Sequence, residues 1–342
     1  MKRGRKFQNP IVTPLGGVTM MLKLLPRYLA NLAETEPKTP PGPFRTDASA
    51  FFVEPASGLR VTWFGHSSLL YEIGGVRVLV DPMWCERASP LQWAGPKRFF
   101  APTLALEHLP APDAVLLSHD HFDHLDESFV RRTACLPSWG GTRWITMLGV
   151  GALLERFGHH RGRITELDWA ESAEVESRSG STLRIDAWPS RHFSGRSLFN
   201  RFETLWGSFV LETPRHRVYH GADSGPWPGF AAIAEQYDGF DLIALEIGAY
   251  DPLWGSIHLG PEAALEAFLT MRAAGTGPQA PMMMPIHWAL FNLALHAWRQ
   301  PIEHLEAIAA AAGVPLWSPE PGRPTEPLAP GVDGWWRKPQ GA

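Results

Sequence analysis

Apolar positions in this chain fall into short, dense blocks punctuated by glycine, proline and acidic residues. Three successive blocks, 61–64, 68–73 and 76–80, have the length and side-chain types of strands, with Gly74-Gly75 placed to turn a hairpin between the last two. The run Ala114-Val115-Leu116-Leu117-Ser118 reads as a buried strand, and further strands are predicted over 143–147, 183–188, 205–212, 217–219, 241–246 and 282–286. Helical periodicity is clearest over 262–272 and 302–312 and weaker over 150–157 and 229–237, while Asp126 is placed to cap a helix that begins just after it. Strands interspersed with helices predict an α/β (α+β) fold: two mixed β-sheets packed together, flanked by helices on both outer faces.

The ends of the chain break this pattern. Residues 1–30 combine Lys2, Arg3, Arg5, Lys6, Lys23 and Arg27 with the apolar run 18–25, which is too short and too interrupted to cross a bilayer. This segment reads either as a peripheral membrane contact or as an amphipathic helix docked on the domain. Lys23 and the closing Pro26-Arg27, without a cleavage word, argue against a signal peptide, and no transmembrane span is predicted. Pro37-Lys38-Thr39-Pro40-Pro41-Gly42-Pro43 reads as an extended linker. The expected organisation is an N-terminal segment and linker over 1–45, a catalytic domain over 46–317, and a Pro/Gly-rich tail without regular structure over 318–342.

Composition narrows the class of protein. With 44% hydrophobic residues in 342, the chain can bury a large core, and a net charge of −4 argues against a nucleic-acid partner, which would bring a basic stripe. Two cysteines, Cys85 and Cys135, give no disulfide framework and point to a reducing, cytoplasmic setting. Fifteen tryptophans is a high count, and those at Trp84, Trp93, Trp254 and Trp288 flank polar motifs, where an indole can line an apolar channel or fill a core.

The candidate chemistry lies after the 114–118 strand, in His119-Asp120-His121-Phe122-Asp123-His124. Imidazole nitrogens and carboxylate oxygens suit zinc, and ligands at such spacing on a tight loop can face two neighbouring ions. The remaining ligands must then come from other strand ends: His192 after 183–188, Asp223 after 217–219, and His287 after 282–286. Asp120 matches no ligand position and is read as solvated or as orienting a histidine. The scattered His108, His159, His160, His216, His296 and His304 are read as surface or packing residues.

The HxHxDH run with the three later residues resembles the metallo-β-lactamase superfamily. Thr62-Trp63-Phe64-Gly65-His66, Asp81-Pro82, Arg87-Ala88-Ser89-Pro90, Gly95-Pro96-Lys97-Arg98-Phe99, Glu166-Leu167-Asp168-Trp169, Ile247-Gly248-Ala249-Tyr250 and Ile286-His287-Trp288 resemble, more narrowly, its N-acylphosphatidylethanolamine-hydrolysing phospholipase D branch. The resemblance implies a four-layer αβ/βα sandwich and two zinc ions, with iron or manganese as other occupants. It implies that His119, His121 and His192 bind one ion, that Asp123, His124 and His287 bind the other, and that Asp223 bridges them.

Such a centre is net positive and would attract a phospholipid or another anionic small molecule. Paired divalent ions make hydroxide available near neutral pH and can hold both oxygens of an in-line displacement at phosphorus. The implied reaction is hydrolysis of N-acylphosphatidylethanolamine to N-acylethanolamine and phosphatidic acid, with Asp123 and Asp223 serving the metals. His258 matches a histidine of that branch, and a protonated imidazole can serve a departing alkoxide. His66, Lys97, Arg98, Tyr250, Trp254 and Trp288 are the candidate substrate contacts. Two other readings use the same residues differently: a carbonyl hydrolase related to ascorbate-phosphate lactonases, and a non-catalytic, membrane-associated binding protein on a hydrolase scaffold. Oligomeric state is not legible in the sequence.

Overall fold

A computed structural model describes residues 6–15, 26, 34–197, 199–275, 280–327 and 329–338. Two six-stranded mixed sheets face each other. The first follows chain order through β1 (Leu59–Gly65), β2 (Ser68–Ile73), β3 (Val76–Val80), β4 (Ala114–Leu117), β5 (Arg143–Met147) and β6 (Ile164–Leu167). Its first three strands are antiparallel, joined by the Gly74-Gly75 hairpin, and the parallel run begins at β3. The second holds β7 (Ser172–Glu176), β8 (Thr182–Trp188), β9 (Ser208–Glu212), β10 (Arg217–His220), β11 (Leu242–Glu246) and β12 (Met282–Ile286). There the antiparallel strands come first and the parallel pairs β10–β11 and β11–β12 last.

Period-2 alternation explains the layering. Along β2, β3 and β4, residues such as Leu69, Tyr71, Val78 and Leu116 point into the core between the sheets. Their neighbours Leu70, Leu79, Val115 and Leu117 pack outward, with Phe129 of helix α1 (Glu127–Ala134) and Leu154 of helix α2 (Gly151–Arg156). Both faces are buried, which is why these strands read as unbroken apolar runs. The second sheet is covered by α3 (Gly229–Ala234), α4 (Gly260–Ala274) and α5 (Gln300–Ala311), whose Ile233, Phe268 and Leu305 join the same core. The four-layer sandwich of the sequence analysis is thus the fold.

Four strands escaped the sequence reading. Strand β6 exposes its two central residues partly, and β7 buries only Val175, so neither carries enough apolar positions to announce itself. The other two lie at the C-terminal end, where the expectation of an irregular tail is corrected. β13 (Trp317–Ser318) pairs with β14 (Gly331–Val332), and a 3-10 turn at Trp335–Arg337 buries two indoles. Trp335 stacks on Trp288 at 5.6 Å, and Trp288 on Trp63 at 5.5 Å. Several of the fifteen tryptophans therefore hold the tail to the sandwich.

The residues before the first strand also lie on the domain. Glu34 accepts the backbone N–H of Trp298 at 2.9 Å, and Phe44 packs edge-on against Phe100 at 5.0 Å. The apolar run 18–25, for which membrane contact or helical docking was expected, lies outside the described residues. Among the described residues, no helix is long and apolar enough to cross a membrane.

Candidate metal centre

Every residue of interest leaves the end of a strand. His66 follows β1, Asp81 follows β3, the 118–124 loop follows β4, His192 follows β8, Asp223 follows β10, Glu246 ends β11, and His287 follows β12. At five of these ends a residue other than glycine takes a positive φ: His66 (55°), Asp81 (42°), Ala222 (48°), Ala249 (54°) and His287 (60°). Such conformations persist only where the surroundings enforce them, and they gather at functional sites. Two glycines let the loops close on one another. A Cβ on Gly225 would collide with the Ser256 carbonyl, and one on Gly248 with the carbonyl of His287.

All seven residues expected as ligands converge, in two groups whose donor atoms lie within 4.8 Å of one another. In the first, His119 Nε2 stands 2.9 Å and His192 Nε2 3.3 Å from His121 Nδ1, and Asp223 Oδ2 lies 3.4 Å from His192 Nε2. In the second, Asp223 Oδ1 lies 3.1 Å from both His124 Nε2 and His287 Nε2, and Asp123 Oδ2 lies 3.4 Å from His287 Nε2. Asp223 thus presents one oxygen to each group. His66 also enters the second, 2.9 Å from Asp123 Oδ2, so the cluster is larger than the motif.

This donor set fits divalent cations. The buried atoms His124 Nε2, His287 Nε2 and Asp223 Oδ1 face one another without a hydrogen bond among the described residues, an arrangement that is costly unless something else satisfies them. Outer contacts fix the tautomers. The Ile257 carbonyl accepts from His192 Nδ1 at 2.9 Å, and Asp81 Oδ2 accepts from His124 Nδ1 at 2.8 Å. Ser118 gives its hydroxyl proton to Asp81 Oδ2 at 2.6 Å and sits 2.9 Å from His119 Nδ1, whose proton it can accept. Each ring so held turns a lone pair inward, as metal ligation requires.

Electrostatics agree. Burial holds His119 and His192 well below the ordinary imidazole range and therefore neutral. Burial would raise Asp223 and Asp123, but the imidazoles around them, His124 and His287 foremost, together outweigh it, and both carboxyls sit well below their usual range. Burial likewise disfavours protons on His124 and His287, yet Asp223 leads a set of carboxylates that lifts both, His287 to about 10. Protons and cations compete for the same nitrogens, so metal uptake would release protons.

The other candidates divide. His258 is largely buried and joins Asp223 and His287 in a third group of donor atoms within 4.8 Å of one another, its ring centre 5.1 Å from that of His192 and 5.2 Å from that of His287. Its Nδ1 meets Glu246 Oε2 at 2.6 Å. Tyr250 stacks on His296 at 4.8 Å, and Trp254 donates to the Ala249 carbonyl at 2.7 Å, both half-buried on the loop between β11 and α4. Three candidates are engaged elsewhere. The Arg98 guanidinium is buried and donates to the carbonyls of Phe100, Met83 and Cys85, bracing its own loop. Lys97 is exposed and pairs with Glu86 at 3.0 Å, and Trp288 is core. Asp120 accepts the Gly195 N–H at 2.6 Å, tying the histidine-rich loop to the His192 loop.

Sequence reasoning gave no role to Asp81, Ser118 or Glu246. The available signal was an acid at or just beyond the end of a largely buried strand, true of Asp81 and Glu246 as of Asp223.

The Beta-lactamase superfamily domain model matches residues 76–288. An uncharacterized protein of Mycobacterium tuberculosis is 43% identical over 283 residues, covering 82% of this chain and 73% of that one. The N-acyl-phosphatidylethanolamine-hydrolyzing phospholipase D 1 of Caenorhabditis elegans is 35% identical over 247 residues, 69% of this chain and 65% of that one. Among solved structures, an isothiocyanate hydrolase from Delia radicum gut bacteria superposes with a TM-score of 0.59 at 20% identity, covering 79% of this chain and 99% of that one, and so shares the fold. With its family match spanning well over half of its length, the chain belongs to the beta-lactamase superfamily, among its metallo-hydrolases.

Proposed function

We propose that this metallo-hydrolase is a phosphodiesterase of the phospholipase D type, which cleaves N-acylphosphatidylethanolamine into N-acylethanolamine and phosphatidic acid. The observation that carries the proposal is the shared carboxylate: Asp223 offers one oxygen to His119 and His192 and the other to His124 and His287. The 35% identity to the worm phospholipase D supports the substrate class. In this reading His119, His121 and His192 would hold one zinc ion and Asp123, His124 and His287 the second, with Asp223 available to both. Two divalent ions so held would supply positive charge for the phosphodiester and activate water for attack at phosphorus.

The chain's own groups do the rest. His66 donates from Nε2 to Asp123 Oδ2 and keeps that carboxylate turned into the centre. As the bond between phosphorus and the ethanolamide oxygen breaks, the departing alkoxide needs a proton. His258, whose Nδ1–H is held by Glu246, can give it from Nε2 when the ring is doubly protonated. Tyr250 and Trp254 stand on the same loop and would line the path of the N-acylethanolamine half.

The test is a lipid panel on metal-analysed protein. Release of N-acylethanolamine, measured by mass spectrometry and absent from an Asp223→Asn variant, is the expected result. Ring opening of a lactone without phosphodiester cleavage would assign the same centre to carbonyl chemistry instead. Tight lipid binding without turnover by the metal-replete protein would make it a binding protein.

A further inference from the structure

Glu246 is the last residue of a strand that is otherwise Leu242-Ile243-Ala244-Leu245, and it is completely buried. A carboxylate survives in such a place only where its oxygens are taken up. One is: Oε1 accepts the backbone N–H of Ser224, the neighbour of Asp223, at 2.6 Å. The other accepts from His258 Nδ1 at 2.6 Å, with His287 Nδ1 at 3.8 Å from the same oxygen. A single side chain thereby reaches three loops of the centre. The backbones are equally close, since neither Gly225 against Ser256 nor Gly248 against His287 leaves room for a Cβ.

We infer that Glu246 is a positioning residue for His258, holding its imidazole in the tautomer protonated at Nδ1 so that Nε2 is the nitrogen that serves the leaving group. This rests on the role given to His258 above. In the step concerned His258 starts as the imidazolium, having taken a proton from solvent at Nε2; the bond from phosphorus to the leaving oxygen breaks, that proton passes to the oxygen, and the ring is left neutral with its remaining proton on Nδ1. Glu246 takes no proton and keeps its hydrogen bond throughout, the arrangement by which carboxylates orient imidazoles in hydrolases. Without it, the ring, carried on a glycine-containing loop, could exchange its proton between nitrogens.

Glutamine at 246 makes a sharp probe. The carboxylate accepts twice, whereas an amide accepts once and donates at its other end. Whichever way the amide turns, either Ser224 N–H or His258 Nδ1–H meets a donor. With zinc-loaded protein, Glu246→Gln should keep its metal content and its folded circular dichroism spectrum, with a melting temperature lowered only by the one unmade hydrogen bond. Its ¹⁵N imidazole spectrum should show His258 no longer fixed in the Nδ1–H form. Turnover of an alkyl phosphodiester should fall about ten- to a hundredfold. That of a p-nitrophenyl phosphodiester, whose leaving group needs no proton, should change by less than about twofold. In a His258→Ala background the same substitution should add nothing.

Equal slowing of both substrates, a loss that persists in the His258→Ala background, or depleted metal would overturn the inference, placing the effect on Asp223 or His287. Should the glutamine variant not fold, Glu246→Asp is the milder change and is read by the same criteria. If the wild type cleaves the synthetic diesters with this pattern but not N-acylphosphatidylethanolamine, the substrate reading falls and the role of Glu246 stands.

Discussion

The two halves of the candidate centre are held in place by different means. In the half formed by His119, His121, His192 and Asp223, outer groups hold the rings through Nδ1: the Ser118 hydroxyl sits against His119, and the Ile257 backbone carbonyl takes the proton of His192. In the half formed by His66, Asp123, His124 and His287, only His124 has such support, from Asp81. There the main chain that carries the histidines is held instead of their rings. His287 N–H donates to the His66 carbonyl at 3.0 Å and His66 N–H to the Trp288 carbonyl at 3.3 Å, both histidines being in the left-handed region. His287 Nδ1 has no hydrogen bond among the described residues. The difference teaches that a histidine cluster can be rigid without a carboxylate behind every ring, provided two strand ends lock to each other. It also makes the halves separable by mutation.

Removing the ions comes first, because it removes what the halves share. Chelation should abolish turnover, and zinc should restore it. It should also lower thermal stability, because anything bound only by the folded chain stabilises it, by about 4 kcal/mol when ligand stands at a thousand times its Kd. An unchanged melting temperature after complete demetallation would mean that the cluster does not bind cations with useful affinity.

Asp223→Asn is the next largest change. Both oxygens of Asp223 are engaged, one toward each half, and an amide can offer only one acceptor. Turnover should fall roughly a thousandfold, comparable to losing a principal group that stabilises the transition state. Metal content should drop in both halves together, with the circular dichroism spectrum retained. Loss of one ion alone would show that the halves do not share this residue.

The fold and the converging residues were legible in the sequence for a physical reason. Strands β1 to β4 and β10 to β12 are buried on both faces, so their apolar runs stand out, and the polar residue that ends each run marks where a loop leaves the sheet. What stayed hidden depends on direction rather than residue type. Trp288 and Arg98 occupy suggestive words, but one indole stacks between Trp63 and Trp335 and one guanidinium turns back onto three carbonyls. Nothing in residue order distinguishes those orientations from a substrate contact. Glu246 was hidden the other way: an acid after four apolar residues reads as the end of a strand, and only the packing of three loops around it shows its use.

Asp81→Asn should have the third effect, about ten- to a hundredfold in metal affinity or activity. Asp81 accepts from Ser118 N–H at 2.8 Å, from Ser118 Oγ and from His124 Nδ1, so it supports one ring of each half. With the amide nitrogen toward His124, the ring would protonate at Nε2 and lose its inward lone pair. With the amide turned over, Ser118 N–H would face a donor. Titration of metal into the demetallated variant should show both sites weakened, which separates this residue from Ser118.

Ser118→Ala is the smallest change and the most direct test of the asymmetry. The hydroxyl stands between Asp81 Oδ2 and His119 Nδ1, whereas His124 keeps its own contact with Asp81 at 2.8 Å. Its removal leaves a buried ring nitrogen of His119 without an acceptor, which costs about 1–3 kcal/mol. That penalty corresponds to a loss of roughly ten- to a hundredfold in affinity at one site. It should fall on the His119, His121, His192 half alone, because the other half shares no hydrogen bond with Ser118 shorter than the 3.5 Å to His124 Nδ1. Two-step metal titration followed by calorimetry would resolve the sites. Weakening of one step with the other unchanged fits separately supported halves, whereas equal weakening of both would mean that the bridge couples them too tightly for the distinction to hold.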